Sequence, residues 1–374
     1  MIYFDNAATT YPKPESVIKT VTSFIKERGG NPGRGGHVMS MRAAETVYET
    51  RKKAARFFGA GDPALVCFTG GCTESLNAAI FGCIKPGDRV ITSNVEHNSV
   101  RRPLIASGAV ISYFNAFDGE EAILERISDG IKKGASAVVC TCASNVFPVV
   151  LPIGGIGKLC RERGVTFIAD GAQAAGIYDI DIVKDNIDVL CVPSHKGLYG
   201  IAGCGLTVFS PSYDTKKHKP LLYGGSGVNS ADDGMPDIPP ERFEAGTLPA
   251  AAVASVGAGL DFISRTGLEN IRQRESEISE RIIKSLEHNG NIEFYRPSPG
   301  SLLCFNIRGR KSEETARLLD GYGICARAGY HCAPDAHKYT APDGSGAVRI
   351  SFSAFNTLSE ADRFCEVTDG ISRL

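Results

Sequence analysis

Tryptophan is absent from the 374 residues, and that alone excludes nothing. Other absences exclude more. Lysine and arginine number 41 against 42 aspartates and glutamates, a formal net charge of −1. No excess of either sign points to nucleic acid or an anionic membrane. No two of the twelve cysteines stand at C-x-x-C spacing, which argues against a structural zinc site or a thioredoxin-type pair. They are scattered singly, many within apolar runs such as "LVCFTG" and "VLCVPS". Reduced, mostly buried thiols are therefore expected, not a disulfide framework. Long apolar runs are also missing. The nearest, Leu248–Phe262, contains a proline, two glycines and an aspartate, and is too short to span a bilayer. The opening "MIYFDNAATTYPKP" lacks the basic start and apolar stretch of a secretory signal, so a cytoplasmic setting is expected.

What is present reads as an ordinary globular chain, 43% hydrophobic and 22% charged, long enough for two domains. Short β-rich runs are expected as strands at 65–69, 89–93, 110–113, 137–141, 166–169, 189–192 and 205–209. Helical stretches at 74–84, 100–106, 120–131 and 156–162 lie between several of them. Such alternation implies βαβ units and a mainly parallel sheet, here of seven strands, with ligand groups on loops at the strands' carboxyl ends. The punctuation of 223–240, "YGGSGVNSADDGMPDIPP", marks a long loop of the kind that is functional or mobile. Helices are expected at 250–264 and 268–287, then strands at 302–307 and 347–352 among further helices. The expected organisation is an N-terminal segment (1–15) joining a small C-terminal α+β domain (261–374), with a large domain (16–260) between.

Candidate chemistry gathers after the strands. In "VPSHKGLYG", Ser194, His195 and Lys196 occupy a glycine-bounded loop, and in "FIADGAQAAG", Asp170 ends another apolar run. Taken singly, a lysine is usually a solvated surface charge. An acid and a lysine at neighbouring strand ends have a sharper meaning. Pyridoxal phosphate requires a Schiff-base lysine and a carboxylate that holds the pyridine nitrogen. A phosphate cup is available in "FTGGCTESLNAAI", where Gly70-Gly71 precedes a helix and Cys72 and Thr73 open it. His97 follows another strand, either as a helix cap or as an imidazole stacked on a cofactor ring. Asn145 and Gln173 are amides placed to reach the same ring or a substrate carboxylate.

The order and wording of these stretches resemble the class V aminotransferases among fold-type I pyridoxal-phosphate enzymes. They are most similar to the cysteine desulfurase and selenocysteine lyase family. "YFDNAATT", "NPGRGGH", "TGGCTE", "EHNS", "SNV", "ADGAQAAG", "SHKGLYG", "RFEAGT", "RAGYHCAP" and "VRISFSAFNT" carry the resemblance over nearly the whole chain. It implies a cofactor bound to Lys196, with Asp170 at the pyridine nitrogen, Gln173 at the ring oxygen and His97 stacked on the ring. It assigns the phosphate to Thr73, Ser194 and His195 beside the Gly71–Cys72 turn, with Asn145 near the cofactor. It further implies a homodimer in which Thr247 reaches the partner's phosphate.

Cys332, in "RAGYHCAP", admits three readings from its residues alone. It is a small buried apolar residue, a metal ligand with His331 and His337, or a nucleophile. Nothing nearby completes a good metal spacing, so no metal is expected. As a nucleophile it needs positive potential, for which Arg327 and His331 are the candidates. The resemblance makes Cys332 the sulfur acceptor and Arg349 the residue that grips the substrate carboxylate. The short run between them resembles the second group of desulfurases. Implied throughout are L-cysteine, or L-selenocysteine, as substrate and a persulfide on Cys332. L-alanine is the product, and an unnamed protein accepts the sulfur. Asn145 and Arg327 are expected to orient the substrate, with Ala8 and His37 lining the entrance. Gly197, Tyr330 and Cys72 depart from the group's usual residues.

Overall fold

The computed structural model describes residues 1–33, 35–228, 231–339, 344 and 346–374. Arg34 of the NPGRGGH stretch and residues 229–230 of the long loop lie outside the described residues. In chain order the elements are β1 (Ile2–Tyr3), α1 (Glu15–Glu27), α2 (Val38–Phe57), β2 (Val66–Thr69), α3 (Cys72–Cys83), β3 (Arg89–Ser93), α4 (Asn98–Ala106), β4 (Val110–Phe114), α5 (Glu120–Lys132), β5 (Ala135–Thr141), α6 (Ile153–Arg163), β6 (Thr166–Asp170), β7 (Val189–Pro193) and β8 (Gly205–Phe209). There follow α7 (Ala250–Thr266), α8 (Leu268–Leu286), β9 (Ile292–Phe294), β10 (Leu302–Ile307), α9 (Ser312–Gly321), β11 (Ile324–Cys325), β12 (Arg327–Gly329), β13 (Ala347–Ser351) and α10 (Leu358–Ser372).

The seven expected strands form one sheet in the order β2-β8-β7-β6-β5-β3-β4. Only β8 runs against the rest. Strands β2, β7 and β8 are buried at every position, as expected when helices cover both faces of a sheet. That double burial is why their sequences read as unbroken apolar runs. A second sheet, β12-β13-β10-β9, is antiparallel, and β1 pairs in parallel with β11. Phe4 is buried in a core with Ile278, Phe305, Val348 and Phe364, so the N-terminal segment packs with the last third of the chain. Helix α8 serves two cores, giving Ile271 to the large one and Ile278 and Ile282 to the second.

Two long helices, α1 and α2, were not among the expected elements. Helix α2 packs against α7, and its buried positions, Ala43, Val47, Ala54 and Ala55 among them, are mostly small. No helix among the described residues is long and apolar enough to cross a membrane.

Candidate active site

Strands β2, β3, β5, β6 and β7 point their carboxyl ends the same way, and the loops that follow them open on one cleft of about 680 Å3. After β2, Gly71 caps α3, and Cys72 and Thr73 begin it. The first N–H groups of a helix have no intrahelical partner, which makes this end a seat for an anion. The Thr73 hydroxyl lies 2.8 Å from that of Ser99.

After β3 comes His97, which caps α4. Its Nδ1 accepts from the backbone N–H of Ser99 at 3.0 Å, so the ring proton of the neutral form sits on Nε2. Burial, then the charges of Lys196, Arg349 and Arg327, push the His97 pKa down to about 4. His97 thus caps α4 and also lines the cleft. Its neighbour Glu96 is buried and receives the Thr141 N–H at 3.0 Å, which ties the ends of β3 and β5 together.

After β5, buried Asn145 donates to the carbonyl of His331 at 2.7 Å, and its own carbonyl accepts from Arg349 Nη1 at 2.9 Å. Asp170, which closes β6, is 2% exposed. Its Oδ1 accepts from Ala172 N at 2.9 Å and from the Cys72 thiol at 3.7 Å. Burial raises its pKa, and the Ala172 N–H and Lys196 work against that rise. Gln173 donates to the Ala7 carbonyl at 3.0 Å.

Lys196 follows β7 and lines the cleft with His195. Desolvation lowers the Lys196 pKa, and Asp170 opposes that fall. The N-terminal segment holds this loop. Thr10 N donates to the His195 carbonyl at 3.0 Å, and Thr10 Oγ1 to the Lys196 carbonyl at 2.9 Å. Gly197 belongs to a close crossing of two backbones. A Cβ there would stand 2.2 Å from the Ala175 carbonyl oxygen, and one on Gly176 would stand 2.0 Å from that of Gly197. A side chain at position 197 would therefore clash with the 175–176 backbone.

Arg349 enters from β13. Asp5 takes its Nη2 at 2.9 Å, while its buried Nε has no partner among the described residues. Arg327 faces it across the β12–β13 register. Two guanidiniums against one aspartate leave this corner positive, with Arg349 N–H groups still available to a carboxylate. Cys332 is the one exposed cysteine of the twelve, and the other eleven are buried or half-buried. It lines the cleft. His331 and Cys332 both have left-handed backbone, φ 49 and 57. Asn98 N donates to the Cys332 carbonyl at 2.7 Å, and Arg101 pairs with Asp335 at 2.8 Å, so this loop is pinned to α4.

Three expected residues lie elsewhere. Ser194 is fully buried, its hydroxyl turned to the carbonyls of Ile201 and Cys204. His37 is exposed and caps α2, accepting from Ser40 N at 3.3 Å. Thr247 lines a second cavity of about 360 Å3 beside the buried Arg51–Glu244 pair. His331 also departs from expectation. Burial first, then Arg349, holds its pKa well below the ordinary histidine value, so it is neutral and adds no positive potential. Its Nδ1 is 3.0 Å from His337 Nε2. Among the described residues no group of histidines, cysteines and acids is placed to hold a metal.

The residues fit the cofactor expected from the sequence. A buried carboxylate with no ion-pair partner among the described residues suits a protonated ring nitrogen. The buried His195 Nδ1 and Arg349 Nε are polar atoms without partners among the described residues, and both residues border the cleft.

Residues 2–364 match the aminotransferase class-V family. A probable cysteine desulfurase of Methanothermobacter thermautotrophicus is 31% identical over 99% of this chain and 94% of its own length. The apo structure of a cysteine desulfurase from Thermococcus onnurineus NA1 covers 100% of this chain and 94% of its own, at 29% identity and a TM-score of 0.89. A cysteine desulfurase of Escherichia coli, solved in an S-sulfonic acid form, covers 98% and 94% at 25% identity and a TM-score of 0.86. The chain belongs to the aminotransferase class-V family, a family of pyridoxal-phosphate enzymes, and the relatives it matches include several probable cysteine desulfurases.

Proposed function

We propose that the protein is a pyridoxal-phosphate-dependent cysteine desulfurase that moves the sulfur of L-cysteine onto Cys332. The observation that carries this reading is the meeting of Lys196, Asp170, Arg349 and exposed Cys332 in one cleft. Lys196 would carry the cofactor, Asp170 would hold its ring nitrogen, and Gln173 and His97 would border the ring. Thr73, His195 and the N–H groups at Gly71–Thr73 would take the phosphate. When bound, the cofactor supplies an electron sink for charge developing at the substrate Cα.

This chain's own residues do the rest. Arg349 and Arg327 hold the substrate carboxylate, and Asn145 orients it. Lys196 has a lowered proton affinity and takes the Cα proton as a neutral amine. The Cys332 thiolate attacks the substrate sulfur, forming an S–S bond as the substrate C–S bond breaks. Lys196, assisted by neutral His97, returns a proton to the carbon skeleton. The balance is L-cysteine plus Cys332 thiol giving L-alanine plus Cys332 persulfide.

We propose the same site for L-selenocysteine, and a homodimer that brings Thr247 to the partner's phosphate site. The reading also includes a division into a 16–260 domain and a 261–374 domain joined by residues 1–15, a cytoplasmic setting, and a protein acceptor for the sulfur. The test compares wild type with Cys332→Ala. Both should bind cofactor, with the wild type releasing alanine and, with reductant, sulfide in equal amounts. The variant should lose at least 100-fold in rate, the order expected for a lost nucleophile. Equal rates in the two proteins would remove Cys332 from the reaction.

A further inference from the structure

Helix α8 buries one face through Ile271, Glu275, Ile278, Ser279 and Ile282. The helical period calls for apolar residues along this face, yet it holds Ser279, whose hydroxyl donates to the Ser276 carbonyl and accepts from Gly300 N, and Glu275. Glu275 is 2% exposed, and its Oε2 has no hydrogen-bond partner among the described residues. A glutamate is almost never fully buried unless paired, and no ion pair involving Glu275 is present among the described residues. It borders a small cavity of about 20 Å3 whose wall also includes Lys196, Gln173, Gly197 and Tyr199. That volume exceeds the roughly 10–15 Å3 that one water needs. Glu275 thus stands behind Lys196, apart from the main cleft.

We propose that Glu275 is an uncharged carboxylic acid bonded to a water in this cavity, and that through this water it is a positioning residue for Lys196. Two arguments favour the uncharged form. The groups that face Glu275 from the neighbouring elements are Tyr178 and Tyr199, and its negative charge would raise both phenols. Arg272, one turn earlier on α8, is held by Glu269 at 2.7 Å and is exposed to solvent. Across the cavity stands Lys196, already drawn toward the ammonium form by Asp170. A second carboxylate would hold Lys196 charged, and a neutral acid with its water leaves it free to serve as an amine. Burial alone pushes the Glu275 pKa well above the ordinary value, in agreement with the geometry.

The inference rests on Lys196 being the cofactor lysine, and its test separates the two ideas. The proton affinity of the Lys196 nitrogen is read from the pH dependence of visible absorption in cofactor-loaded wild type, Glu275→Gln and Glu275→Leu. Glu275→Gln, neutral and similar in shape, should titrate with wild type. Glu275→Leu, without the polar partner, should titrate at lower pH by about half a unit, roughly a threefold loss of proton affinity. Equal falls in both variants would mean that wild type carries a carboxylate, and no change in either would mean no link to Lys196. Each of these results overturns the proposal. Infrared difference spectra, wild type minus Glu275→Gln, should show the carbonyl stretch of an un-ionised acid at pH 7, and a carboxylate band in its place would overturn it. Should the protein take up no cofactor, the reading of Lys196 fails by itself. The infrared arm and the pH dependence of Lys196 labelling by an amine reagent would then still decide the role of Glu275. If Glu275→Leu does not fold, Glu275→Met, similar in length to glutamate and without its acid group, takes its place in the titration with the same expected fall.

Discussion

Asp170 and Arg349 show how a single side chain is left waiting for a ligand. Each is buried, and each keeps part of its hydrogen-bonding capacity unused among the described residues. Such groups are costly in a closed protein and useful in a site. Gly197 is the opposite case, a residue chosen for the space it does not fill. Gly197→Ala would press a methyl group against the Ala175 carbonyl. It should cost about 1–3 kcal/mol of stability, read from urea denaturation, with cofactor affinity weakened because Lys196 is adjacent. An unchanged midpoint would show that the two backbones part at little cost. At this scale the sequence was legible for the placing of strand-end residues in one cleft, as for Lys196, Asp170 and Cys332. It was not legible for Asp5, which meets Arg349 from 344 residues away. Nor did it reveal that His331 is neutral, since that follows from burial among residues remote in sequence. The Ser194 hydroxyl could not be placed because two carbonyls of its own loop claim it.

The element that carries Cys332 into the cleft is the loop from Tyr330 to Tyr339. Its anchors are Asn98 N on the Cys332 carbonyl, Asn145 on the His331 carbonyl and the Arg101–Asp335 pair. The first two use backbone carbonyls and survive any side-chain change in the loop. The third is partly exposed, and such pairs contribute at most about 1 kcal/mol. Arg101→Ala should therefore leave global stability nearly unchanged while speeding hydrogen exchange of the 330–339 amides. Unchanged exchange would show that the backbone anchors suffice. The strands of the large sheet were read to within two residues, helped by the burial on both faces that makes β2, β7 and β8 nearly continuous apolar runs, whereas edge strand β4 is largely exposed. Helix α2 was missed because its buried face is made largely of small residues amid many charges. Glu275 was missed for a related reason. In "RQRESEISE" it sits among exposed charges, and only the packed helix shows that it alone of the acids faces inward.

For the whole molecule, buried histidines set the response to acid. The pKa values of His97, His195, His218 and His337 are pushed down to about 4, burial being the first cause in each. An unfolded histidine titrates near 6.5, so between about 6.5 and 4 the unfolded chain binds more protons than the native one. Stability from these groups is complete above 6.5 and is lost as pH falls through that window, by up to about 1.4 kcal/mol per pH unit for each histidine. Buried Glu96, raised to about 8, acts the other way, favouring the native state at low pH and losing that contribution as pH rises from about 4.3 to 8. Glu275, whose pKa burial also raises, acts in the same sense as Glu96, and His331 adds to the histidines. Five histidines outweigh the two glutamates, so the melting temperature should fall on acidification from pH 7 to 5. His218 packs with Phe209, Tyr213 and Phe243 and does not line the cleft, and His218→Gln should flatten that fall. A melting temperature that rose on acidification would contradict the balance.

The central claim is that the sulfur of L-cysteine arrives on Cys332 and on no other of the twelve cysteines. Loaded protein would be mixed with L-cysteine for a single turnover and trapped with an alkylating reagent, and its peptides then weighed. The account predicts one additional sulfur on the peptide that contains Cys332, matched by one alanine released and absent from Cys332→Ala. Alanine released with the extra sulfur on another cysteine, or on none, would contradict it.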